Sequence, residues 1–186
     1  MVTNICVLRS GGDFKPEHVV RLSKQVKDLV CLSDVEIEGV KTIPLQYDWP
    51  HWWAKMELYR PDIQGDLLYF DLDTLVINMP PIPERDCVLR DFGDSGVIGS
   101  GMMYLTEYRR SVIWKAWIQD PNKAMSSHVA WPSGDQGFIF PYLRNALRWQ
   151  NITKVYSWKY HCAKGIPADA DVVCFHGKPR PWDVGL

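Results

Sequence analysis

The sequence predicts an α/β fold, a mostly parallel sheet flanked by helices, on three observations. Short unbroken apolar runs at residues 5–8, 30–32 and 67–70 have the length and composition of strands covered on both faces. Between the first two, apolar residues recur at helical spacing, which makes strand, helix, strand the opening of a doubly wound sheet. The chain has 186 residues, enough for one compact domain with a sizeable core and too few for two of ordinary size.

Taken in order, residues 5–8 form the first strand and Ser10, Gly11, Gly12 and Asp13 the loop after it. Pro16 opens a helix over residues 17–29, where Val19, Val20, Leu22, Val26 and Leu29 face inward and Lys24, Lys27 and Asp28 face water. The second strand is 30–32 and a short third is 42–45. A helix over 53–59 follows, which Pro61 helps to end. The run 67–70 is the next strand. Pro80, Pro81 and Pro83 break the chain, strands resume at 87–89 and 102–105, and 107–117 reads as a helix. An apolar segment at 134–142 and a strand at 172–175 come last. No repeat, low-complexity tract or linker interrupts residues 1–186, so one domain is expected.

Composition narrows the function classes. Lys and Arg total 21 against 22 acids, so no basic excess supports nucleic acid as a partner. The five cysteines are odd in number and widely spaced, and no CxxC zinc pattern is present; buried thiols in a reducing compartment are expected. No stretch approaches the ~20 apolar residues of a spanning helix. A soluble, cytoplasmic protein is the expectation.

The strand 67–70 carries the chemistry, because it delivers Asp71 and Asp73 at its carboxyl end. Open α/β sheets bind ligands just beyond the carboxyl ends of their strands. Paired carboxylates there suit a hard divalent cation, which takes oxygen ligands and commonly shares them with phosphates. The substrate implied is a diphosphate. Four further segments stand with this pair: Lys55 on the preceding helix; Ser100 and Gly101, read as a turn before a strand; Asp135 and Gln136 between two glycines; and His176, Gly177, Lys178, Pro179, Arg180, Pro181 and Trp182 after the last strand. An imidazole there can complete a cation's ligand set while Lys178 and Arg180 face phosphate.

In this order and spacing the segments resemble glycosyltransferase family 8, particularly its glycogenin-like and bacterial galactosyltransferase members, over nearly the whole chain. The resemblance implies a single-domain GT-A-like fold and a retaining transfer of sugar from a UDP-sugar donor to an acceptor that the sequence does not identify, with Mn²⁺ (or Mg²⁺) as cofactor. It makes Asp71, Asp73 and His176 the metal ligands and Asp135 and Gln136 the residues beside the reacting sugar. It assigns donor contacts to Lys55, Asp71, Ser100, Gly101, Gly177, Lys178 and Arg180. Arg9 and Asp13, in the loop after the first strand, form a nucleotide-facing pair with them. Two departures stand out: the closing motif is shorter than the family's, putting Arg180 where the family has lysine, and Gly99 replaces the family's asparagine. The strand ending in Asp-x-Asp is also similar to that of haloacid-dehalogenase-type phosphatases, although here Thr74 follows Asp73 directly. A noncatalytic domain that keeps the fold and binds sugar nucleotide or another protein is the third reading.

Overall fold

A computed structural model describes residues 1–130 and 132–186. Its strands are β1 (Val2–Leu8), β2 (Val30–Ser33), β3 (Lys41–Pro44), β4 (Asp66–Phe70), β5 (Thr74–Val76), β6 (Cys87–Arg90), β7 (Ile98–Leu105), β8 (Leu147–Arg148), β9 (Val155–Ser157) and β10 (Val172–Cys174). The helices are α1 (Pro16–Ser23), α2 (Glu107–Trp117), α3 (Pro121–Ser127), α4 (Gly134–Leu143) and α5 (Trp158–His161), with a 3-10 helix at His51–Tyr59.

The main sheet has seven strands in the order β3-β2-β1-β4-β7-β6-β8. β3, β2, β1 and β4 run parallel, whereas β7 is antiparallel to both β4 and β6. Alternate residues explain why the strands read as continuous apolar runs: Ile5, Val7, Leu67 and Tyr69 pack with Trp53, Met56, Ile113 and Trp117 on one face. Cys6, Leu8, Leu68 and Phe70 pack with Val19, Leu22 and Trp149 on the other. Both faces of β1 and β4 are therefore dry, and burial on this scale is the main force holding the layers together. All five cysteines are buried and unpaired. No helix among the described residues is long and apolar enough to cross a membrane.

Several elements differ from the sequence expectation. The helix expected over 17–29 ends at Ser23; the chain then turns, with Asp28 at φ 54° and Gln25 turned aside so that its side-chain oxygen accepts from Val76 N at 2.8 Å. Val26 and Leu29 stay buried although they lie beyond the helix. The helix over 53–59 is a 3-10 helix beginning at His51. Ser100 and Gly101 lie inside β7, not in a turn before it, because pairing with β4 continues from Leu105 back to Met102 and with β6 on to Ile98.

A second sheet, in the order β5-β10-β9, packs beside the first. Its role is positional. β5 leaves the main sheet after a tight turn of three residues beyond β4, and β10 runs antiparallel to it with Cys174 opposite Thr74. Two segments almost a hundred residues apart are thus brought together at the carboxyl end of β4.

Candidate functional site

The site is built around the turn at residues 71–74. Thr74 N donates to Asp71 O at 3.0 Å, closing the turn, and Asp71 N donates to Gly101 O on β7 at 2.8 Å. Arg21, from α1, fixes the same turn from behind by donating to the carbonyls of Leu72 (2.9 Å) and Thr74 (2.8 Å). The two carboxylates so placed face different cations.

Asp71 belongs to a largely buried network. Lys55 Nζ lies 3.0 Å from Asp135 Oδ2, 3.4 Å from Asp71 Oδ1 and 3.1 Å from Ser100 Oγ, and the Tyr69 hydroxyl donates to Asp71. Burial lowers the affinity of the Lys55 ammonium for its proton, but Asp135 and Asp71 outweigh it and hold the pKa above its ordinary value. Asp135 is raised by burial and by Asp71, against the pull of Lys55. Gly101 admits this arrangement: a Cβ there would sit 3.2 Å from Asp71 Oδ2. At the N-terminus of α4, Gly134 adopts φ 65° against the Trp52 indole, which sets Asp135 against Lys55, with Gln136 next in sequence.

Asp73 is 4 % exposed and pairs with Arg180. Burial, with the neighbouring Asp71 charge, pushes its pKa up to about 7 against the opposing pull of Arg180. His176, two residues beyond β10, has Nε2 2.6 Å from Ser157 Oγ and stacks on Phe92 and Tyr160; burial and Lys159 lower its pKa.

Two cavities meet at the aspartates. The larger, of about 810 Å³, is lined by Arg9, Asp13, Lys55, Asp71, Asp73, His176, Gly177 and Arg180, with Trp52 at its edge. The smaller, of about 120 Å³, is lined by Ser100, Gly101, Gln136 and Phe92, and again by Asp71, Asp73 and His176. Gln136 Nε2 is a buried donor with no hydrogen-bond partner, an arrangement usually resolved by a bound molecule. Most of the residues singled out from sequence are brought to these two walls. Asp135 lies beneath them against Lys55, and Lys178 lines neither cavity. Sequence reasoning missed Tyr69, Arg21 and Ser157. Each acts through the fold: an arginine on a short helix 51 residues before its acceptor carries no local signal.

Asp73 is buried, and Asp71 stands beside it with one oxygen directed toward β7 rather than Lys55; two carboxylates so placed are the oxygen donors a hard cation takes. Among the described residues no three His, Cys, Asp or Glu side chains form a ready ligand set, and the Nε2 of His176 is engaged by Ser157.

No protein-family model and no curated protein sequence matches the chain. Solved structures do. The glycosyltransferase GlyE of Streptococcus pneumoniae TIGR4 is similar over 97% of this chain at 14% identity and a TM-score of 0.63, and its apo form at 0.65. A galactosyltransferase, LgtC, solved in complex with donor and acceptor sugar analogues, is similar over 98% of this chain and 89% of its own length, at 10% identity and a TM-score of 0.60. The chain spans 56% of the GlyE structure, about half its length. What these likenesses establish is architecture: the chain has the GT-A-like α/β fold of these glycosyltransferases.

Proposed function

We propose that the chain is a metal-dependent glycosyltransferase that takes a sugar from a UDP-sugar donor, with retention at the anomeric carbon, in the manner of glycosyltransferase family 8. The observation that carries this reading is the turn after β4: it sets Asp71 and Asp73 at the junction of two cavities, with Lys55 and Arg180 beside them, in a fold shared with glycosyltransferases. The larger cavity has the size of a nucleotide site, and the smaller adjoins it where a transferred sugar would leave the diphosphate.

Asp71 and Asp73 would hold Mn²⁺ or Mg²⁺, with His176 turning from Ser157 to join them. A cation held there would supply positive charge for the diphosphate leaving group. Lys55 contributes fixed positive charge next to Asp71 and is itself held in place by Asp135 and Ser100, so no reorganisation is needed as the bond breaks. Arg180 and Gly177 face the phosphates, and Arg9 and Asp13 the nucleoside. Gln136, which lines the smaller cavity and carries an unpartnered Nε2, orients the sugar or acceptor hydroxyl beside the anomeric carbon.

The test is UDP release from UDP-glucose, UDP-galactose and their N-acetylated counterparts, each with Mn²⁺ and with excess chelator. The reading expects release from one donor that depends on the cation. UDP-sugar binding without release would make the chain a binding module, and no binding at all would refute the donor site.

A further inference from the structure

In this structure a side chain already occupies the position a cation would take on Asp73. Arg180 pairs with a carboxylate 107 residues away in sequence, and the two side chains are only 16% and 6% exposed. Packing brings it there. Trp182 stacks on His18 with ring centroids 3.5 Å apart and planes 5° from parallel, and its edge meets Phe14. The Arg180 guanidinium lies 4.7 Å over the Phe14 ring, and Asp183 accepts from Arg180 N at 2.8 Å. Arg21 holds the carbonyls on either side of Asp73, so Asp73 keeps its position whichever cation it faces.

The same arginine is incompletely used. Its Nε is buried without a hydrogen-bond partner, and the residue lines the larger cavity. A guanidinium fork matches phosphate oxygens as well as it matches a carboxylate. A divalent cation and a guanidinium cannot both sit against Asp73 without strong repulsion, so arrival of one displaces the other.

Resting on the donor-site reading above, we propose that Arg180 is a built-in stand-in cation: it pairs with Asp73 and passes to the donor diphosphate when a divalent ion takes the carboxylate. Cation alone must then bind weakly, because it evicts Arg180 with nothing to receive it. Cation and nucleoside diphosphate bind cooperatively, because the phosphate receives the released guanidinium. The coupling is reciprocal, each ligand tightening the other by the same factor.

Titration calorimetry with Mn²⁺ alone, UDP alone and Mn²⁺ with saturating UDP tests this in the wild type and in Arg180→Gln. Arg180→Lys, which keeps a charge but loses the fork, is the second variant and decides the matter if the glutamine protein does not fold. In Arg180→Gln the affinity for Mn²⁺ alone should rise about tenfold or more, while the factor by which UDP tightens Mn²⁺ falls about tenfold; the lysine variant should lie between it and wild type. An arginine that merely braces the C-terminal turn would weaken Mn²⁺ binding or leave it unchanged, and that result overturns the inference. Wild-type protein that binds no UDP under any cation condition would strike the donor-site reading instead.

Discussion

Lys55→Met removes the one ammonium that separates three polar groups in the floor of the site while keeping the length of the side chain. Asp135 Oδ2 at 3.0 Å, Ser100 Oγ at 3.1 Å and Asp71 Oδ1 at 3.4 Å lose their shared partner, and Asp135, 6 % exposed, becomes an uncompensated buried anion. Removing one partner from such a pair costs about 3–5 kcal/mol. For a chain of this size that corresponds to a fall in melting temperature of about 6–20 °C. The cost should depend on pH with a definite sign. Asp135 has its pKa raised by burial even with Lys55 present, so the folded state favours its protonated form; that contribution is complete below the unfolded value and is lost as pH rises through the folded one. Without Lys55 the folded pKa climbs further, and the variant regains stability as the solution is acidified. Urea unfolding of wild type and variant at pH 5 and pH 8, compared as differences at each pH, measures this. A loss below about 1 kcal/mol at pH 8, the scale of an exposed pair, or an equal loss at both pH values, would refute the account of Lys55 as the counter-charge of a buried acid.

Asp73→Asn should abolish cation-dependent UDP binding in calorimetry, because a neutral amide is a poor ligand for a hard cation; UDP binding that still responds to Mn²⁺ in that variant contradicts this. Gln136→Ala should leave binding of UDP with Mn²⁺ nearly unchanged and slow sugar transfer by ~10² or more, as loss of a positioned donor does elsewhere. Wild-type transfer rates in that variant would move the sugar-facing role away from Gln136. Glu57→Ala, remote from the cavities, tests the scaffold: its carboxylate is fully buried and accepts from Gln46 N (2.7 Å), Tyr47 N (2.9 Å) and Arg60 (2.6 Å). Arg60 keeps Asp62 and Pro44 O, whereas Gln46 N and Tyr47 N lose their acceptor, so the variant should lose about 1–3 kcal/mol per orphaned donor in urea unfolding, with UDP affinity altered less than stability.

The elements legible from sequence were those whose signal is local. Continuous apolar runs at 5–8, 30–32 and 67–70 announced strands covered on both faces, and the structure places their alternate residues in two cores. The end of β4 was legible for the same reason: Phe70 is the last residue of the apolar run, and Asp71 begins the turn. Boundaries were less so. Ser100 and Gly101 looked like a turn because glycine weakens strand propensity, yet pairing on both sides keeps them in β7, and a small residue is what lets Asp71 approach.

By itself, then, the sequence determined the layered α/β class and the delivery of two carboxylates to the mouth of a parallel strand, since both depend on side-chain pattern within a few residues. Only the tertiary structure decided which cation each carboxylate meets. Asp71 turns to Lys55, which Asp135 also holds, while Asp73 turns to Arg180 across 107 residues. Those choices follow from how β5 and β10 pair, how Trp182 packs on His18, and how burial favours a partnered charge over a bare one. Long-range packing sets distances of this kind, and no local pattern records it.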